Sequence, residues 1–523
     1  MSDSIIEVRN PATGEIAGTV PALTSNEVAE LADRARRAQP AWEALGFAGR
    51  AAVLERFRQW MMAHREEVVA TLVAESGKTP DDALFTDVQL ISELIKYWGQ
   101  AAEALLRDEP AHITSALAFG RRLVTRYAPR GVIGVIGPWN FPLGTCLGDG
   151  IPALMAGNAV ILKPATLTPL SSVLLAQAFL EVGGPDGILT VATGPGTGPA
   201  LVDAADMIMF TGSTETGRVI AEQAARQLTP VSLELGGNDP MIVLADADLE
   251  RAANVATTYG MINSGQVCQG IERVYVEQGV YEDFVQRLTV KVSALHHGLP
   301  GPAGTVDVAG LTDPEQMKIL QRHVDDAVAK GARVTVGGAA QGPVFPPTVL
   351  ADCDHTMDVM REESFGPLVA VAAAENAEVA IALANDSELG LSACVFTRDG
   401  RRGLEIARRI QAGGVFVNDH LLNAFALGAP FGGWKESGMG YRGGAEGIRK
   451  YCKAQLIGIA DIAASRDPHH FPHTPEQAQL IDRVLEALES KPGRALATVL
   501  TLTSRTWAPR AIGAVLGRGG NRR

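Results

Sequence analysis

The chain has 523 residues and a formal charge of -13 at pH 7, with 46% hydrophobic and 20% charged residues. This length exceeds what one hydrophobic core usually supports, so we expect two or three domains of ordinary globular composition. The net negative charge and the lack of a long basic block argue against a nucleic-acid partner and favour a small-molecule one.

The cysteines are few and scattered, and no C-x-x-C pair occurs among them, which fits neither a disulfide framework nor a zinc site. They are Cys146, Cys268, Cys353, Cys394 and Cys452. We interpret them as reduced thiols of a cytoplasmic protein. Residues 1–16 lack the layout of a signal peptide, and no apolar run approaches the roughly 18 residues of a membrane span, so we expect a soluble chain.

Residues 25 to about 111 carry apolar side chains at helical spacing, for example Val28, Leu31 and Ala35. They predict helices that cover a sheet. After Arg130 the pattern changes to short β-branched runs separated by helical stretches. These runs are "GVIGVIGP", "NAVILKPA", "GILTVATG", "DMIMFTGS" and "VSLELGG". The alternation predicts an α/β fold with a parallel, doubly wound sheet.

A second series of runs begins near Pro240 and predicts a second α/β domain. Its members are "PMIVLADADL", "RVYVEQ", "ARVTVGG", "LVAVAAA", "ACVFTRDG" and "GGVFVND". Residues 121–130, "RRLVTRYAPR", alternate in the manner of an exposed strand. The segment "YCKAQLIGIA" near Tyr451 suits a strand that pairs with it.

The tail contains one more predicted helix, with Thr474 as N-cap, Pro475 at the first helical position and Gln477 at the reciprocal capping position. Its apolar face consists of Ala478, Ile481, Leu485 and Leu488. Beyond Glu489 the chain carries only basic charges among apolar residues. Two interpretations stay open: a solvated or oligomer-packing extension, or a segment that binds a membrane surface or an acidic partner.

Cys268 stands out among the thiols because small, turn-forming and amide residues surround it in "NSGQVCQ", residues 263–269. A single cysteine is usually a small core residue, but one that serves only for packing gains little in this setting. We therefore consider a nucleophile, which needs a base, a nearby cation or a helix N-terminus to favour the thiolate.

Glu234 is a candidate base, because it ends an apolar strand in "LELGGND" and two glycines, Gly236 and Gly237, turn the chain shortly after it. Carboxylates at the carboxyl ends of strands point into the crevice where doubly wound sheets bind ligands. A capping or salt-bridge role is the alternative for this residue.

Asn140 is a candidate oxyanion donor, since "GPWNFP" holds its amide on a turn stiffened by Pro138 and Pro142. A turn asparagine that satisfies its own backbone is the structural alternative. For a nucleotide, "MIMFTGSTETG" is the stronger motif, because a strand runs through Gly212 and Ser213 into a helix and presents backbone N–H groups to a phosphate. Lys163 ends another strand at the same edge.

Together these motifs resemble the aldehyde dehydrogenase superfamily. They are "PWNFP", "ILKPA", "FTGSTETG", "LELGG", "NSGQVC" followed by Arg273, "EESFGP" and "PFGGWKESGMG", in the order and spacing of that family from roughly Val8 to about Ala460. The succinate-semialdehyde dehydrogenase branch is weakly resembled. No arginine could be assigned to the pocket for the carboxylate of such a substrate.

The resemblance implies a role for each matching position. Cys268 would be the nucleophile, Glu234 the general base, and Asn140 with the Cys268 backbone N–H the oxyanion hole. The implied cofactor contacts are Ile136, Pro138, Trp139, Lys163, Gly212, Ser213, Glu363 and Phe365. The implied pocket residues are Phe141, Val267, Gln269 and Phe431. Aromatic or medium aliphatic aldehydes would suit this pocket.

The resemblance also implies a domain plan. A Rossmann-like NAD(P)-binding domain would comprise residues 1–120 and 131–233, and a catalytic α/β domain residues 234–442. A small β oligomerisation arm, residues 121–130 and 443–460, would join subunits into a homodimer or homotetramer. Residues 461–523 would form a C-terminal extension beyond the usual end of the family.

The implied reaction oxidises an aldehyde to a carboxylic acid with NAD or NADP. Thiolate attack must precede hydride loss, because an aldehyde C–H becomes a hydride donor only once its carbon is tetrahedral. A thioester then remains, and Glu234 would activate water to hydrolyse it. Many NAD-preferring relatives carry a Glu after the "KPA" strand end where this chain has Thr166, so NADP is also expected to bind.

Two other functions stay open at this point. A CoA-acylating enzyme would resolve the thioester with a thiol, although that reaction needs no water-activating base such as Glu234. A non-catalytic protein on the same fold would not require the three catalytic residue types. No metal is expected, since His469, His470 and His473 lie in a Pro-punctuated polar segment that is typical of a linker.

Overall fold

The computed structural model describes residues 4–114, 120–340, 342–462 and 470–489. The chain divides into two compact units. The first comprises residues 1–106 and 128–453, and the second comprises residues 107–127 and 454–523. Parallel sheets with helices between their strands dominate the first unit, and this arrangement confirms the α/β fold predicted from the sequence.

The strands follow one another along the described chain in this order: β1 (Ile5–Arg9), β2 (Ile16–Pro21), β3 (Glu109–Ala111), β4 (Arg121–Pro129), β5 (Val132–Ile136), β6 (Ala159–Lys163), β7 (Leu189–Val191), β8 (Met207–Thr211), β9 (Val231–Glu234), β10 (Asp239–Val243), β11 (Ile271–Glu277), β12 (Arg333–Val336), β13 (Thr348–Ala351), β14 (Leu368–Ala374), β15 (Leu389–Gly390), β16 (Ser392–Phe396), β17 (Gly414–Val417), β18 (Trp434–Lys435), β19 (Gly438–Met439) and β20 (Cys452–Ala460).

The α-helices, in chain order, are α1 (Ser25–Ala44), α2 (Gly46–Ala63), α3 (Arg65–Ser76), α4 (Pro80–Asp82), α5 (Leu90–Leu106), α6 (Cys146–Met155), α7 (Leu170–Glu181), α8 (Thr197–Ala204), α9 (Thr214–Ala225), α10 (Leu249–Met261), α11 (Tyr281–Ser293), α12 (Pro314–Ala329), α13 (Ala377–Asn385), α14 (Gly400–Ala407), α15 (Gly444–Arg449) and α16 (Pro475–Glu489). A π-helical segment, Ala83–Gln89, joins α4 to α5.

One sheet of the first unit has six strands in the order β19-β9-β8-β5-β6-β7. Its neighbours pair in parallel except for β19, which is antiparallel to β9. The chain runs outward from β5 through β6 to β7, and then returns to place β8 and β9 on the other side of β5. The strand order therefore reverses between β5 and β8, which is the position where doubly wound sheets bind ligands.

The other large sheet of this unit has seven strands in the order β12-β13-β14-β11-β10-β16-β17. All its pairs are parallel except β12 with β13, so the predicted run "ARVTVGG" forms an antiparallel edge strand. Strand β13 was not predicted, because four residues give too short a pattern. Both faces are covered by helices, which explains why the strands are apolar in nearly every position.

The N-terminal helices agree with the helical pattern predicted from Ser25 onward. A capping box starts α1, since the side chain of Thr24 accepts from the Glu27 N–H while the Glu27 carboxylate accepts from the Thr24 N–H. The helical region ends at Leu106, earlier than predicted, because the last residues, Glu109–Ala111, form strand β3. Pro110 lies in β3, where an edge strand tolerates a residue without an N–H group.

The second unit contains a three-stranded sheet in the order β20-β4-β3, so "RRLVTRYAPR" and "YCKAQLIGIA" form paired strands as predicted. Helix α16 begins at Pro475, and the Thr474 and Gln477 groups exchange the two hydrogen bonds of a capping box, as predicted. Among the described residues, none of the helices combines the length and apolarity that crossing a membrane requires.

Candidate active site

Cys268 lies in a tight turn between a 3-10 segment, Ile262–Gly265, and strand β11. The turn is closed by hydrogen bonds of 2.8 Å from the Val267 N–H to the Gly265 carbonyl and from the Gly270 N–H to the Val267 carbonyl. Within the described part of the chain, no acceptor receives the Cys268 N–H. Among the described residues, that N–H is therefore an unused hydrogen-bond donor beside the thiol.

Gly265 makes this turn fit against the neighbouring loop. Its φ of +70° lies in the left-handed region, and a Cβ placed on it would stand 2.0 Å from the Gly366 carbonyl oxygen. Only a residue without a side chain allows both conditions. The Cys268 turn is thus packed directly against the segment that carries Glu363 and Phe365.

Glu234 is the last residue of β9, and two glycines carry the chain from it past the Cys268 turn. A Cβ on Gly237 would stand 2.1 Å from the Cys268 carbonyl oxygen, and one on Gly236 would stand 2.5 Å from Glu363 Oε2. The two glycines are therefore required by close approach of backbone to backbone and to a carboxylate. The structure brings Glu234, Cys268 and Glu363 into one site.

The Glu234 side chain is buried and almost free of hydrogen bonds. Its Oε2 lies 3.8 Å from Arg442 Nη1, and no donor among the described residues reaches its Oε1. Burial raises the pKa of Glu234 to about 7, against the lowering influence of Arg442 and Lys450. A carboxyl group with this pKa exchanges protons near neutral pH, which is the property a general base needs.

The Cys268 thiol is surrounded by protein but remains partly exposed toward a cavity. Burial raises the pKa of Cys268 to about 12, and the Arg442 charge opposes that rise. Glu363, Asp239 and Glu234 add to the rise because they are acidic neighbours. The thiol is therefore mostly protonated in this arrangement, and the positive charge of Arg442 favours the thiolate.

Asn140 is held against the Cys268 turn by hydrogen bonds of its side chain and of its backbone. Its Nδ2 donates to the Gln266 carbonyl over 2.8 Å, and its own carbonyl accepts from Asn263 Nδ2 over 3.0 Å. An amide nitrogen has two N–H groups, and the bond to Gln266 uses one. The other remains for an oxyanion, so the arrangement supports more than a turn-forming role.

A buried ion pair supports the Asn140 segment, and sequence reasoning missed it. Lys78 Nζ donates to Asp87 Oδ2 over 2.8 Å and to the Asn140 carbonyl over 2.9 Å. Asp87 Oδ1 accepts from the N–H groups of Leu143 and Gly144. The two charged side chains are 1% and 0% exposed. They connect the helical layer to the loop that carries Asn140.

Glu363 and Phe365 lie in a loop whose backbone is held by a second buried carboxylate. Glu272 accepts the N–H groups of Ser364 and Phe365 over 2.8 Å each, which supports the positive φ of 50° at Phe365. Glu363 Oε1 accepts from the Gly237 N–H over 3.0 Å. Burial and the neighbouring Glu272 raise the pKa of Glu363 well above its ordinary value.

The predicted cofactor residues fit a dinucleotide at the switch point of the six-stranded sheet. Ile136 ends β5, and Gly212 follows β8. Ser213 caps α9 by accepting from the Thr216 N–H, so the start of a twelve-residue helix faces this edge and suits a phosphate. Lys163 ends β6, where burial lowers its pKa. These donors match the chemistry of a dinucleotide phosphate.

The remaining predicted cofactor residues border the same edge. Trp139 and Phe365 meet edge to face, with ring centroids 5.4 Å apart. Pro138 and Trp139 are partly buried and follow β5 directly. The Glu363 carboxylate, held by Gly237, presents oxygen atoms that suit ribose hydroxyl groups.

A cavity of about 230 Å³ opens beside Cys268. The four predicted pocket residues, Phe141, Val267, Gln269 and Phe431, all line it. Trp139, which the resemblance implies as a cofactor contact, is not among the lining residues. Most of the wall is apolar, and its members that were not predicted include Phe85, Leu90, Leu94, Trp98, Pro152, Tyr259, Ile262, Leu421, Phe425 and Leu427.

The cavity wall also contains charged residues that were missed, namely Glu93, Asp149, Arg442 and Lys450. Asp149 is the single charge in the apolar helix "CLGDGIPALM", and Arg442 follows the glycine-rich stretch "GMGY". A lone charge in a buried helix generally has a partner, so this pattern was a usable signal. Arg442 is the pocket arginine that the sequence did not identify.

The histidine segment shows no metal site in the described residues. His469 lies outside them, and His470 and His473 precede α16. Across the described ranges, no three His, Cys, Asp or Glu side chains converge as a metal ion would require.

The sequence model that describes the aldehyde dehydrogenase family matches residues 1–457 of this chain. A protein of Mycolicibacterium smegmatis named "Putative succinate-semialdehyde dehydrogenase", NADP(+), is 38% identical over 489 residues, which cover 92% of this chain and 94% of that protein. The crystal structure of an Escherichia coli NADP-dependent enzyme is 35% identical with a TM-score of 0.82, covering 87% of this chain and 95% of that one. That of a Mycobacterium tuberculosis aldehyde dehydrogenase complexed with NAD+ is 33% identical, with the same TM-score and coverage.

The chain therefore belongs to the aldehyde dehydrogenase family. It is an NAD(P)-dependent enzyme that oxidises an aldehyde to a carboxylic acid, as the motifs predicted.

Proposed function

We propose that Cys268, Glu234 and Asn140 carry out this oxidation through a covalent thioester. The observation that carries the proposal is the close packing of the Gly237 backbone, three residues beyond Glu234, against the Cys268 carbonyl. The Cys268 thiol would lose its proton to water, and the thiolate would attack the aldehyde carbon. The resulting oxyanion would accept from Asn140 Nδ2 and from the Cys268 N–H. One such donor contributes about 10²–10³ in rate.

The second half of the proposed reaction depends on Glu234. A nicotinamide dinucleotide held at the switch point by residues such as Lys163, Ser213 and Glu363 would supply the acceptor for the hydride of the tetrahedral carbon. The thioester that remains on Cys268 is then hydrolysed by water, from which the ionised Glu234 carboxylate takes a proton. A base in this position favours water over CoA as the group that resolves the thioester.

Two variants test these roles in an assay that follows formation of the reduced nicotinamide by its absorbance. We expect Cys268→Ala to show neither a burst nor turnover, and activity that survives this change would remove the covalent mechanism. We expect Glu234→Gln to give a stoichiometric burst followed by slow turnover, because only hydrolysis lacks its base. Loss of the burst would instead show that Glu234 also acts before hydride transfer.

We propose an apolar aldehyde, aromatic or medium-chain aliphatic, as the substrate. The wall of the cavity beside Cys268 is mainly aromatic and aliphatic, and burial of such groups is the main source of affinity in a pocket of this kind. At its partly exposed side the rings of Phe85 and Phe425 lie 6.2 Å apart. A substrate body would contact these rings while its aldehyde carbon reaches Cys268.

An ω-carboxylate aldehyde is the second candidate, because Lys450 lines the same cavity and the Mycolicibacterium relative is named for such a substrate. No carboxylate among the described residues lies within ion-pair distance of Lys450 Nζ, whereas Arg442 already pairs with Asp149. Burial lowers the pKa of Lys450 to about 8, so it is mostly protonated at neutral pH.

The ratio of kcat/KM for octanal or benzaldehyde to that for succinate semialdehyde decides between the two. We expect the ratio to exceed one, and Phe425→Ala to lower it by about tenfold through lost apolar contact. A ratio below one that rises in Lys450→Met would support the carboxylate substrate instead.

We propose that NADP serves as well as NAD. Thr166 is a neutral, partly exposed residue three positions after the end of β6, where a carboxylate would repel a 2′-phosphate. The relatives support this, since the Escherichia coli structure is described as NADP dependent and the Mycobacterium tuberculosis one contains NAD+.

We propose that the six-stranded sheet belongs to the cofactor domain and the seven-stranded sheet to the catalytic domain, with residues 121–130 and 443–460 forming the oligomerisation arm. Strand β20 is the outer strand of its sheet, and it exposes Leu456, Ile457 and Ile459. Unpaired outer strands with apolar side chains are suited to pair with another chain. We expect light scattering to show a homodimer or homotetramer, and Leu456→Glu to shift it toward the monomer.

We also propose a contact of the C-terminal extension, residues 461–523, with a partner protein or a membrane surface. The support is the capped helix α16 followed by a tail that carries only basic charges. Truncation after Ala460 tests it by sedimentation with anionic liposomes. Equal sedimentation of both forms would exclude the membrane contact.

We propose a cytoplasmic location. All five cysteines are free thiols, although five is enough for two disulfides. Unpaired thiols are typical of proteins that stay in a reducing compartment. Retention of activity only under reducing conditions would support this location.

A further inference from the structure

Arg442 and Asp149 form an ion pair inside the active site whose geometry leaves the guanidinium little freedom. Arg442 Nε donates to Asp149 Oδ1 over 2.9 Å, and Nη2 donates to Asp149 Oδ2 over 2.6 Å. Nη2 also donates to Thr211 Oγ1 over 2.6 Å. Two parallel bonds to one carboxylate fix the plane of the guanidinium. The Nη1 nitrogen is the end of the side chain that these bonds leave unused.

The backbone of Arg442 is fixed as well. Its N–H donates to the Phe431 carbonyl over 2.6 Å, and the Phe431 N–H donates to the Arg442 carbonyl over 2.7 Å. Phe431 lines the substrate cavity. The arginine is therefore held at the main chain and at the guanidinium, on the side of the cavity next to the strand ends.

Arg442 Nη1 points to the proposed base. It lies 3.8 Å from Glu234 Oε2, and the Glu234 side chain is 3% exposed. Thr211 and Glu234 are paired residues at the ends of the neighbouring strands β8 and β9. The hydrogen bond from Arg442 to the Thr211 hydroxyl thus holds the guanidinium next to Glu234. The other oxygen of this carboxylate, Glu234 Oε1, has no hydrogen-bond donor among the described residues.

The other charges that face Glu234 do not replace this contact. Lys450 Nζ is the second cation, but it lies against Met209 Sδ and Ser232 Oγ. Asp149 is acidic and raises the pKa of Glu234, whereas Arg442 lowers it. Further titratable groups around the site, among the described residues, are the carboxyl groups of Glu363 and Asp239, the thiol of Cys268 and the phenol of Tyr451.

We propose that Arg442, fixed by Asp149 and Thr211, is a positioning residue that keeps the Glu234 carboxylate ionised and oriented for hydrolysis of the thioester. This inference rests on the proposed role of Glu234 as the base. It assigns to the Asp149–Arg442 pair a function in turnover and not only in stability. In electrostatic terms, a fixed cation beside a buried carboxylate favours the charged form that takes the proton from water.

The dependence of kcat on pH tests the proposal, since a purely structural residue would change the size of kcat but not its pH profile. Arg442→Met removes the cation, so the pKa of Glu234 rises and the ionised base appears only at higher pH. We expect the acidic limb of the profile to move up by at least about one pH unit, with about tenfold lower kcat at pH 7. Arg442→Lys keeps the charge and should restore most of the wild-type limb. The burst amplitude should stay at one per active site in both variants, while the rate constant of the burst should fall in Arg442→Met, because Arg442 also favours the Cys268 thiolate.

A double variant guards against misfolding of Arg442→Met, in which Asp149 becomes an unpaired buried charge. Asp149→Asn with Arg442→Met leaves neither charge, and replacement of both partners of a buried pair is generally tolerated. Arg442 lowers the pKa of Glu234 and Asp149 raises it. The acidic limb of the double variant's pH profile should therefore lie between those of the wild type and Arg442→Met. Limbs that coincide in the wild type and both variants would overturn the proposal.

Glu234→Gln separates this outcome from failure of the proposed function. If the acidic limb disappears in Glu234→Gln, Glu234 is the titrating base, and the Arg442 variants then decide the positioning role. If Glu234→Gln keeps the wild-type limb, the base role itself is wrong and the positioning role falls with it.

Discussion

The Lys78–Asp87 pair provides a direct test of how the helical layer supports catalysis. In Lys78→Met the Asp87 carboxylate loses its ion pair and keeps as donors the N–H groups of Leu143 and Gly144 and the hydroxyl of Thr86. Since both side chains are almost completely buried, the variant leaves a charge in a medium that solvates it poorly. Breaking such a pair on one side costs about 3–5 kcal/mol.

The same change should also displace the oxyanion donor. Lys78 Nζ holds the Asn140 carbonyl, so its loss removes one of the contacts that fix the Asn140 amide beside Cys268. Misplacement of a catalytic group by about 1 Å costs about 10²-fold in rate. We therefore expect the rate constant of the burst to fall by one to two orders of magnitude in Lys78→Met.

The assay combines the unfolding midpoint in urea, followed by tryptophan fluorescence, with stopped-flow measurement of the burst. The control is Lys78→Met with Asp87→Leu, which removes the uncompensated charge and should recover most of the stability but not the burst rate. A single variant as stable as the double one, with an unchanged burst rate, would refute the reasoning.

Three further predictions concern the site itself. The wild-type kcat should rise about tenfold from pH 6 to pH 8, because a Glu234 pKa of about 7 leaves the base mostly protonated at pH 6, and a flat profile would contradict this. Thr166→Glu should lower kcat/KM for NADP by at least about tenfold while that for NAD stays within about twofold. Gly265→Ala should abolish activity and lower the melting temperature, because its Cβ would overlap the Gly366 carbonyl. Gly279→Ala, with open space around it, is the matched control.

The sequence predicted the strand series and the helical layer well, because both depend on local patterns. Buried parallel strands such as β5 and β8 are continuous apolar runs bounded by glycine, which a single sequence displays directly. The capping residues Thr474 and Gln477 were found for the same reason, since a cap is decided within four residues. Short or unusual elements such as β13 and the β1–β2 hairpin were missed.

The motif residues around Cys268 could be chosen from the sequence because each one stands at a strand end or a turn. A doubly wound sheet places such ends at one edge, so their convergence follows from the topology. The glycines of "LELGG" predicted a turn, and the structure adds that Gly237 approaches the Cys268 carbonyl and Gly265 the Gly366 carbonyl.

Only the tertiary structure revealed the charges behind the site. Asp149 and Arg442 are 293 residues apart, and Lys78 reaches Asn140 across 62 residues. No local pattern relates such residues, because their pairing depends on how helices pack on the strand ends. The pKa values of Glu234 and Cys268 depend on the same packing, since desolvation and charge at a few ångströms are properties of the folded site. The sequence thus determined the fold and the reacting groups, while tertiary packing decided the electrostatic field in which they act.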